Sequence, residues 1–267
     1  MSECQVCAVC NSRTPMISYN DPKTSSNKGK AHMQIEPLAF LQLAQLADSA
    51  LPIGATAHSF GLETLVAEGT LTVAQLETFL HDYLKETGTF ESTFCRLGYR
   101  LATPSNSGTF TTQWLALNAR LSAYKTARES RTASATLGRR LLQLAQGLQD
   151  HPLLRQAIQV SKDAREDIHY SVAFGLVGSI LKIDEDAAVL AHLQQTLLGL
   201  VSACQRLLPL GQSWASSIIW HLKSALIDCA EHSAEIVLNE DEISLFTPLL
   251  DVASMRHPIL ATRLFIS

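Results

Sequence analysis

The amino-acid sequence predicts an all-α fold, a single compact multi-helix bundle of roughly eight to ten helices with a disordered N-terminal tail. Three observations carry this reading. Beyond residue 36 nearly every apolar stretch repeats at helical spacing, alternating strand pattern is almost absent, and polar segments such as Thr103 to Gly108 separate the periodic ones. A chain of 267 residues, 46% of them hydrophobic, can bury one sizeable core. The organisation that follows is a polar tail over 1–36 and an all-α domain over 37–267. That domain closes in a segment, 243–267, whose apolar residues stand beyond the last convincing helix.

The tail is polar, carries proline and glycine, and lacks periodicity, which predicts disorder. It has no apolar stretch behind a basic one, so it does not read as a secretory signal. Further on, Thr72 and Gln75 form a capping box, and Leu76, Phe79, Leu80, Tyr83 and Leu84 then share one helix face. A long helical pattern runs from Gln113 through Trp114, Leu117, Leu121 and Tyr124. A charged, helix-compatible stretch connects it to a second stripe, Leu137, Leu141, Leu144 and Leu148. Asp184 is the predicted N-cap of a long helix that buries Leu190, Leu193, Leu197, Leu200 and Cys204. Pro209 with Gly211 breaks it. A further helix over 213–237 turns Ile218, Leu222, Ala225 and Cys229 inward, and no repeat of fixed period stands out.

Several function classes lose support at this point. A net charge of -4 and a pI near 6.1 provide no clustered basic excess for nucleic acid. The apolar run from Val172 to Leu181 is shorter than the roughly 20 residues a membrane span needs, and Thr196 to Trp220 carries Arg206 near its middle. Both read as buried helices. Neither G-x-x-x-x-G-K-[ST] nor G-x-G-x-x-G occurs, so nucleotide binding has no motif. Gly211-Gln212-Ser213-Trp214-Ala215 approaches a nucleophile elbow, but helix rather than strand precedes Ser213. Asp228 and His232 lie four apart on a helix face and could chelate a metal, as could Glu231 and Glu235; a solvated helix end is the blander reading. Cys4, Cys7 and Cys10 resemble part of an iron-sulfur ligand set with no fourth member, leaving incidental thiols or an adventitious or regulatory metal site. Cys95, Cys204 and Cys229 read as core thiols.

Four stretches are not explained by periodicity. The first, from Leu46 to Glu63, breaks one helix at Pro52 and Gly54 and resumes after an apolar corner. It resembles the N-terminal signature of the urease accessory protein UreF family at Leu51, Pro52, Gly54, Ala55, Ser59, Gly61, Leu62 and Glu63, with His58 where tyrosine is common. The second, Arg128-Glu129-Ser130-Arg131 leading to Ser134, Leu137, Gly138 and Arg139, is similar to a charged segment of that family. The third, Arg206-Leu207-Leu208-Pro209-Leu210-Gly211-Gln212, resembles its kink between core helices. The fourth is the C-terminal stretch, where Ser254, Met255, His257, Arg263, Leu264, Phe265 and Ser267 match and Pro258 replaces the usual glutamate. His169 with Phe174 and Gly175 also resembles a family segment.

The resemblance implies an all-α, cytoplasmic homodimer that has no catalytic residue, resident metal or cofactor. It implies binding to UreD (also called UreH) and to the nickel-carrying GTPase UreG, in an assembly that engages apo-urease and delivers nickel to it. Met255, Arg256, His257, Arg263, Leu264 and Phe265 are the partner-binding residues so implied. Pro52, Gly54, His58, Ser59, Glu63, Arg128, Glu129, Arg131, Pro209, Gly211 and Gln212 are implied to shape the dimer or GTPase surface. The C-terminal side chains are expected to bury on UreD rather than in their own core, because Pro248 and Pro258 interrupt regular structure there. Two readings from other classes stand beside this one: a metal-dependent all-α enzyme using Asp228, His232 and a neighbouring carboxylate, and a helical adaptor unrelated to urease.

Overall fold

Glycine decides how closely the central helices meet. The computed structural model describes residues 36–103 and 108–267. The predicted tail, with Cys4, Cys7 and Cys10, and the middle of the Thr103 to Gly108 loop lie outside the described residues. Helix α4 (Thr89–Arg100) crosses α8 (Tyr170–Ile180) at Gly98 and Gly175. A Cβ on Gly98 would overlap the Val172 carbonyl, and one on Gly175 the Cys95 carbonyl. Helix α6 (Arg128–Leu148) meets the start of α8 at Gly138, where a Cβ would overlap the Ile168 carbonyl. Three backbones thus approach one another where any side chain would hold them apart. Around this crossing Phe94, Leu141, Leu142, Val172 and Phe174 are fully buried.

The remaining helices wrap that centre. They are α1 (Pro37–Leu46), α2 (Leu62–Ala67), α3 (Leu76–Tyr83), α5 (Phe110–Tyr124), α7 (Pro152–Ala164), α9 (Glu185–Leu207), α10 (Gln212–His221), α11 (Lys223–Asn239) and α12 (Pro248–Arg256). Helix α3 runs into α4 through one π turn, Leu84–Gly88, and α10 abuts α11 at Leu222. Counting each such pair as one rod leaves ten, and there is no strand among the described residues. The predicted caps form. The Gln75 Oε1 atom accepts from the Thr72 N–H at 3.1 Å, and the Asp184 carboxylate accepts from the Ala187 N–H at 3.0 Å. Leu193, Leu197, Leu200 and Cys204 are buried, and Leu190 is half-buried.

Helix α9 is long and apolar enough to cross a membrane by length and composition, and 67% of its most apolar window is buried inside the molecule. Its N-terminal Glu185 and Asp186 pair with Arg96 of α4 at 3.0 and 2.6 Å, favourable charges at a helix start. Arg96 also donates to Ser233 Oγ and the Ala230 carbonyl, both at 2.9 Å, so this buried cation is fully engaged and ties α4, α9 and α11 together.

Three sequence expectations need correction. The helical pattern from Gln113 to Leu148 breaks at 125–127, where Lys125 leaves helical geometry, and Leu148 of the second stripe is exposed. The helix expected over 213–237 turns at Leu222. Most consequentially, Pro248 does not interrupt the C-terminal segment but starts α12 from its first turn, where a missing N–H costs no hydrogen bond. Pro258 then sits in a short 3-10 turn, His257–Ile259.

Candidate functional site: a C-terminal strap latched to the corner

Beyond α1 the chain turns through Gly54 (φ +84°) and Gly61 (φ +91°), left-handed positions that favour glycine. Gly61 is doubly constrained, because a Cβ there would stand 3.0 Å from Ser254 Oγ and 3.2 Å from the Leu250 carbonyl. Helix α12 therefore lies against the corner. The corner delivers Glu63 in the first turn of α2, only 5% exposed.

Three donors converge on the Glu63 carboxylate. The Leu264 N–H donates at 2.5 Å, the Phe265 N–H at 3.1 Å, and His257 Nε2 lies 2.9 Å away. His257 is fully buried, and its Nδ1 lies 2.7 Å from Glu129 Oε2 of α6. Carboxylate oxygens accept, so full satisfaction requires a proton on each ring nitrogen or one shared with a carboxyl group. Burial pushes the Glu63 carboxyl up, but the Leu264 N–H, His257 and the Phe265 N–H together outweigh it and hold the group below its ordinary value. Arg263 stands 3.9 Å from the other Glu129 oxygen.

The last residues then run beside the corner in register. The Ile266 N–H donates to the Ala57 carbonyl at 2.9 Å, the Ser59 N–H donates to the Ser267 carbonyl, and His58 Nδ1 meets Ser267 Oγ at 2.7 Å. Burial, then Arg140, lowers the His58 pKa. Arg206, from the end of α9, lays its guanidinium 4.1 Å from the Phe265 ring centre and donates to the Thr56 carbonyl at 2.8 Å. Four sequence stretches separated by as many as 209 residues thus close on one another, through Glu63, Glu129, Arg206 and His257 with Phe265.

The placement corrects part of the C-terminal expectation. Phe265 is 5% exposed and His257 is fully buried, so both belong to this body's own packing, seated by the Glu63 and Arg206 contacts. Met255 and Leu264 are 52% and 62% exposed, and Ile266 also faces outward. Arg256 pairs with Glu68 at 2.9 Å. Other residues singled out in the sequence remain apart from the latch. Arg128 and Pro52 face solvent, Arg131 donates to the Lys125 carbonyl at 2.8 Å where α5 gives way to α6, and Gly54 lies under Arg140. Pro209, Gly211 and Gln212 form the exposed turn between α9 and α10. Arg206 and Ser254 lay inside the singled-out stretches without being named for a role. No spacing rule could have found their contacts, which are tertiary.

Elsewhere the chemistry is quieter. His169 is buried between Ser122 Oγ at 2.8 Å and Ser134 Oγ at 3.1 Å, and burial, then Lys125, pushes its pKa down to about 3, leaving a neutral core histidine. Ser213 is exposed in the first turn of α10. Asp228 and His232 lie along α11 at the surface. Among the described residues no group of three or more His, Cys, Asp or Glu side chains is placed to hold a metal ion.

The UreF family model matches residues 71–223. The urease accessory protein UreF of Nostoc sp. is 33% identical over 229 residues, covering 85% of this chain and 95% of that protein. Its counterpart in Lachnoclostridium phytofermentans is 34% identical over 233 residues, covering 85% and 98%. That of Actinobacillus pleuropneumoniae serotype 3 is 31% identical over 227 residues, covering 84% and 97%. With a family model over more than half its length and relatives aligned across nearly their whole length, the chain belongs to the urease accessory protein UreF family.

Proposed function

We propose that the protein is a non-catalytic scaffold of urease maturation, acting in the cytoplasm as a homodimer that bridges UreD (UreH) and the GTPase UreG on apo-urease. Nickel is cargo of that assembly, not a resident cofactor of this chain. One observation carries the reading: the last turn of α12, the 3-10 turn after it and the strap leave Met255, Ile259, Leu264 and Ile266 exposed, while Glu63 holds the strap backbone at Leu264 and Phe265 and Arg206 covers the Phe265 ring. A rigid seat under exposed apolar side chains lowers the ordering cost of docking, which is what a scaffold needs.

Deleting residues 254–267 would be a poor test, because it removes buried His257 and Phe265. The informative variant is Met255→Asp with Leu264→Asp, two exposed positions. The expected outcome is loss of UreD from a pull-down by tenfold or more, about 1.4 kcal/mol or greater, with a melting temperature that hardly moves. Unchanged capture of UreD by a folded double variant would overturn the assignment of this face.

A further inference from the structure

Behind the corner, with His58 and Ser254 on its rim, the bundle also contains a cavity of about 130 Å³. One wall is a stripe of α9, including His192, Gln195 and Leu200; another is the π turn and the start of α4, which place Thr87 and Glu91 on it. A π turn inserts one residue into a helix, costs hydrogen-bond geometry, and recurs at functional sites. Leu137, Leu245 and Leu250 make much of the remaining lining apolar.

The polar groups of this cavity are incompletely satisfied. Glu91 and Lys125 form a buried ion pair, and Tyr170 donates to Gln195. His192, by contrast, is 2% exposed and neither of its ring nitrogens has a partner. Its ring is fixed all the same, with Tyr170 and Phe174 each 5.3 Å away between centroids. The Thr87 hydroxyl is likewise buried without a partner. Burial is the main cause that pushes the His192 pKa down to about 4, so at neutral pH the ring offers one donor and one acceptor. Each such group left unmade costs on the order of 1–3 kcal/mol. Groups held so rigidly and left without partners call for an explanation, and an occupant of the cavity supplies one.

We propose that this cavity binds a small uncharged amphiphile, a hydroxyl- or amide-headed molecule whose head meets His192 and Thr87 and whose body lies among Leu137, Leu200 and Leu250. Charge selects against anions. Glu91 and Lys125 already neutralise each other, and Asp251 in the lining adds a negative charge, so an anion would enter without a free counter-charge. Size fits a single small ring, since an apolar cavity of roughly 150 Å³ takes benzene. The cavity shares His58 and Ser254 with the corner and α12, but none of the exposed residues assigned to UreD (Met255, Ile259, Leu264 and Ile266) lines it, so the two readings are tested by different variants.

The test titrates the full chain with phenol, benzene and benzoate, read by ligand-observed NMR and calorimetry. Phenol and benzene share a ring and differ in the head; benzoate carries the charge. Phenol should saturate at least about fivefold more tightly than benzene, the worth of one or two buried hydrogen bonds, and benzoate should not bind. Thr87→Val keeps the shape, and His192→Phe keeps the ring contacts with Tyr170 and Phe174; each should shrink the phenol advantage at least threefold. Equal affinity for benzene and phenol, no saturable binding by either, or an advantage that survives both substitutions would overturn the proposal. The middle outcome means ordered water is the occupant. Should His192→Phe fail to fold, Thr87→Val decides alone.

Discussion

The α4–α8 crossing and the strap latch are both buried, yet they are held by opposite means. At the crossing, backbone meets backbone through Gly98 and Gly175, and the surrounding side chains are apolar. Contact there is a matter of volume, spread over many small attractions. In the latch, one carboxylate gathers three donors, one imidazole bridges two carboxylates, and one guanidinium covers one ring. Contact there is a matter of a few directed bonds. The first arrangement fails when atoms are added; the second fails when a single partner is removed.

The largest effect should therefore follow the smallest chemical change. Gly175→Ala adds one methyl group where the Cys95 carbonyl already stands, in a place neither backbone can vacate. Alanine's better helix propensity returns only about 1 kcal/mol. The expected outcome is a net loss of about 3 kcal/mol or more in chemical denaturation, with reduced soluble yield. The same substitution at Gly147 in α6 meets nothing within 4 Å and should be neutral or stabilising by up to about 1 kcal/mol. Equal effects at the two sites would refute the volume argument.

The two regions were also unequally legible in the sequence. Helix content, the Thr72 and Asp184 caps and the buried stripe of α9 follow from local rules of spacing and hydrogen bonding, and the structure contains them. Breaks are harder to foresee. Lys125 to Ala127 and Leu222 carry no proline or glycine, and Pro248 was read as an interruption because the start of α12 has little apolar periodicity to announce it. The latch was half legible. Its residues stood in the four unusual stretches, but Glu63 and His257 are 194 positions apart, and a pairing at that distance leaves no local signal. Nothing in the sequence marks His192, because the lack of a partner for its ring nitrogens is a tertiary fact.

Glu63→Gln is the corresponding test of the latch. Glutamine has nearly the shape of glutamate but only one accepting oxygen, and in either orientation its amide nitrogen would face a backbone N–H, that of Leu264 or that of Phe265. A donor then meets a donor in a buried place. The expected loss is about 1.5–3 kcal/mol. Amide exchange of Leu264 and Phe265 should quicken far more than that of α8, since the strap can open without the core. Uniform quickening would mean that latch and core unfold as one unit, and the contrast between them would fall.

A smaller effect, reading the same carboxylate without altering its shape, comes from acid. The Glu63 carboxyl is held below its ordinary value in the folded protein, so the folded state favours the ionised form. Its contribution is complete above the unfolded-state value and is lost as the pH falls through the lower, folded one. Protonation leaves one oxygen able to accept and turns the other into a donor, a weaker insult than substituting glutamine because the proton can choose its oxygen. His257, Glu129 and Arg263 share the network, so the pH profile of the native protein alone would not isolate Glu63. The difference in unfolding free energy between the native protein and Glu63→Gln does. It should be widest near neutrality and narrow progressively as the solution is acidified below the ordinary glutamate range. A difference that stays constant down to the acid limit would show that Glu63 acts through shape rather than charge, and would move the latch toward the packing-dominated behaviour of the α4–α8 crossing.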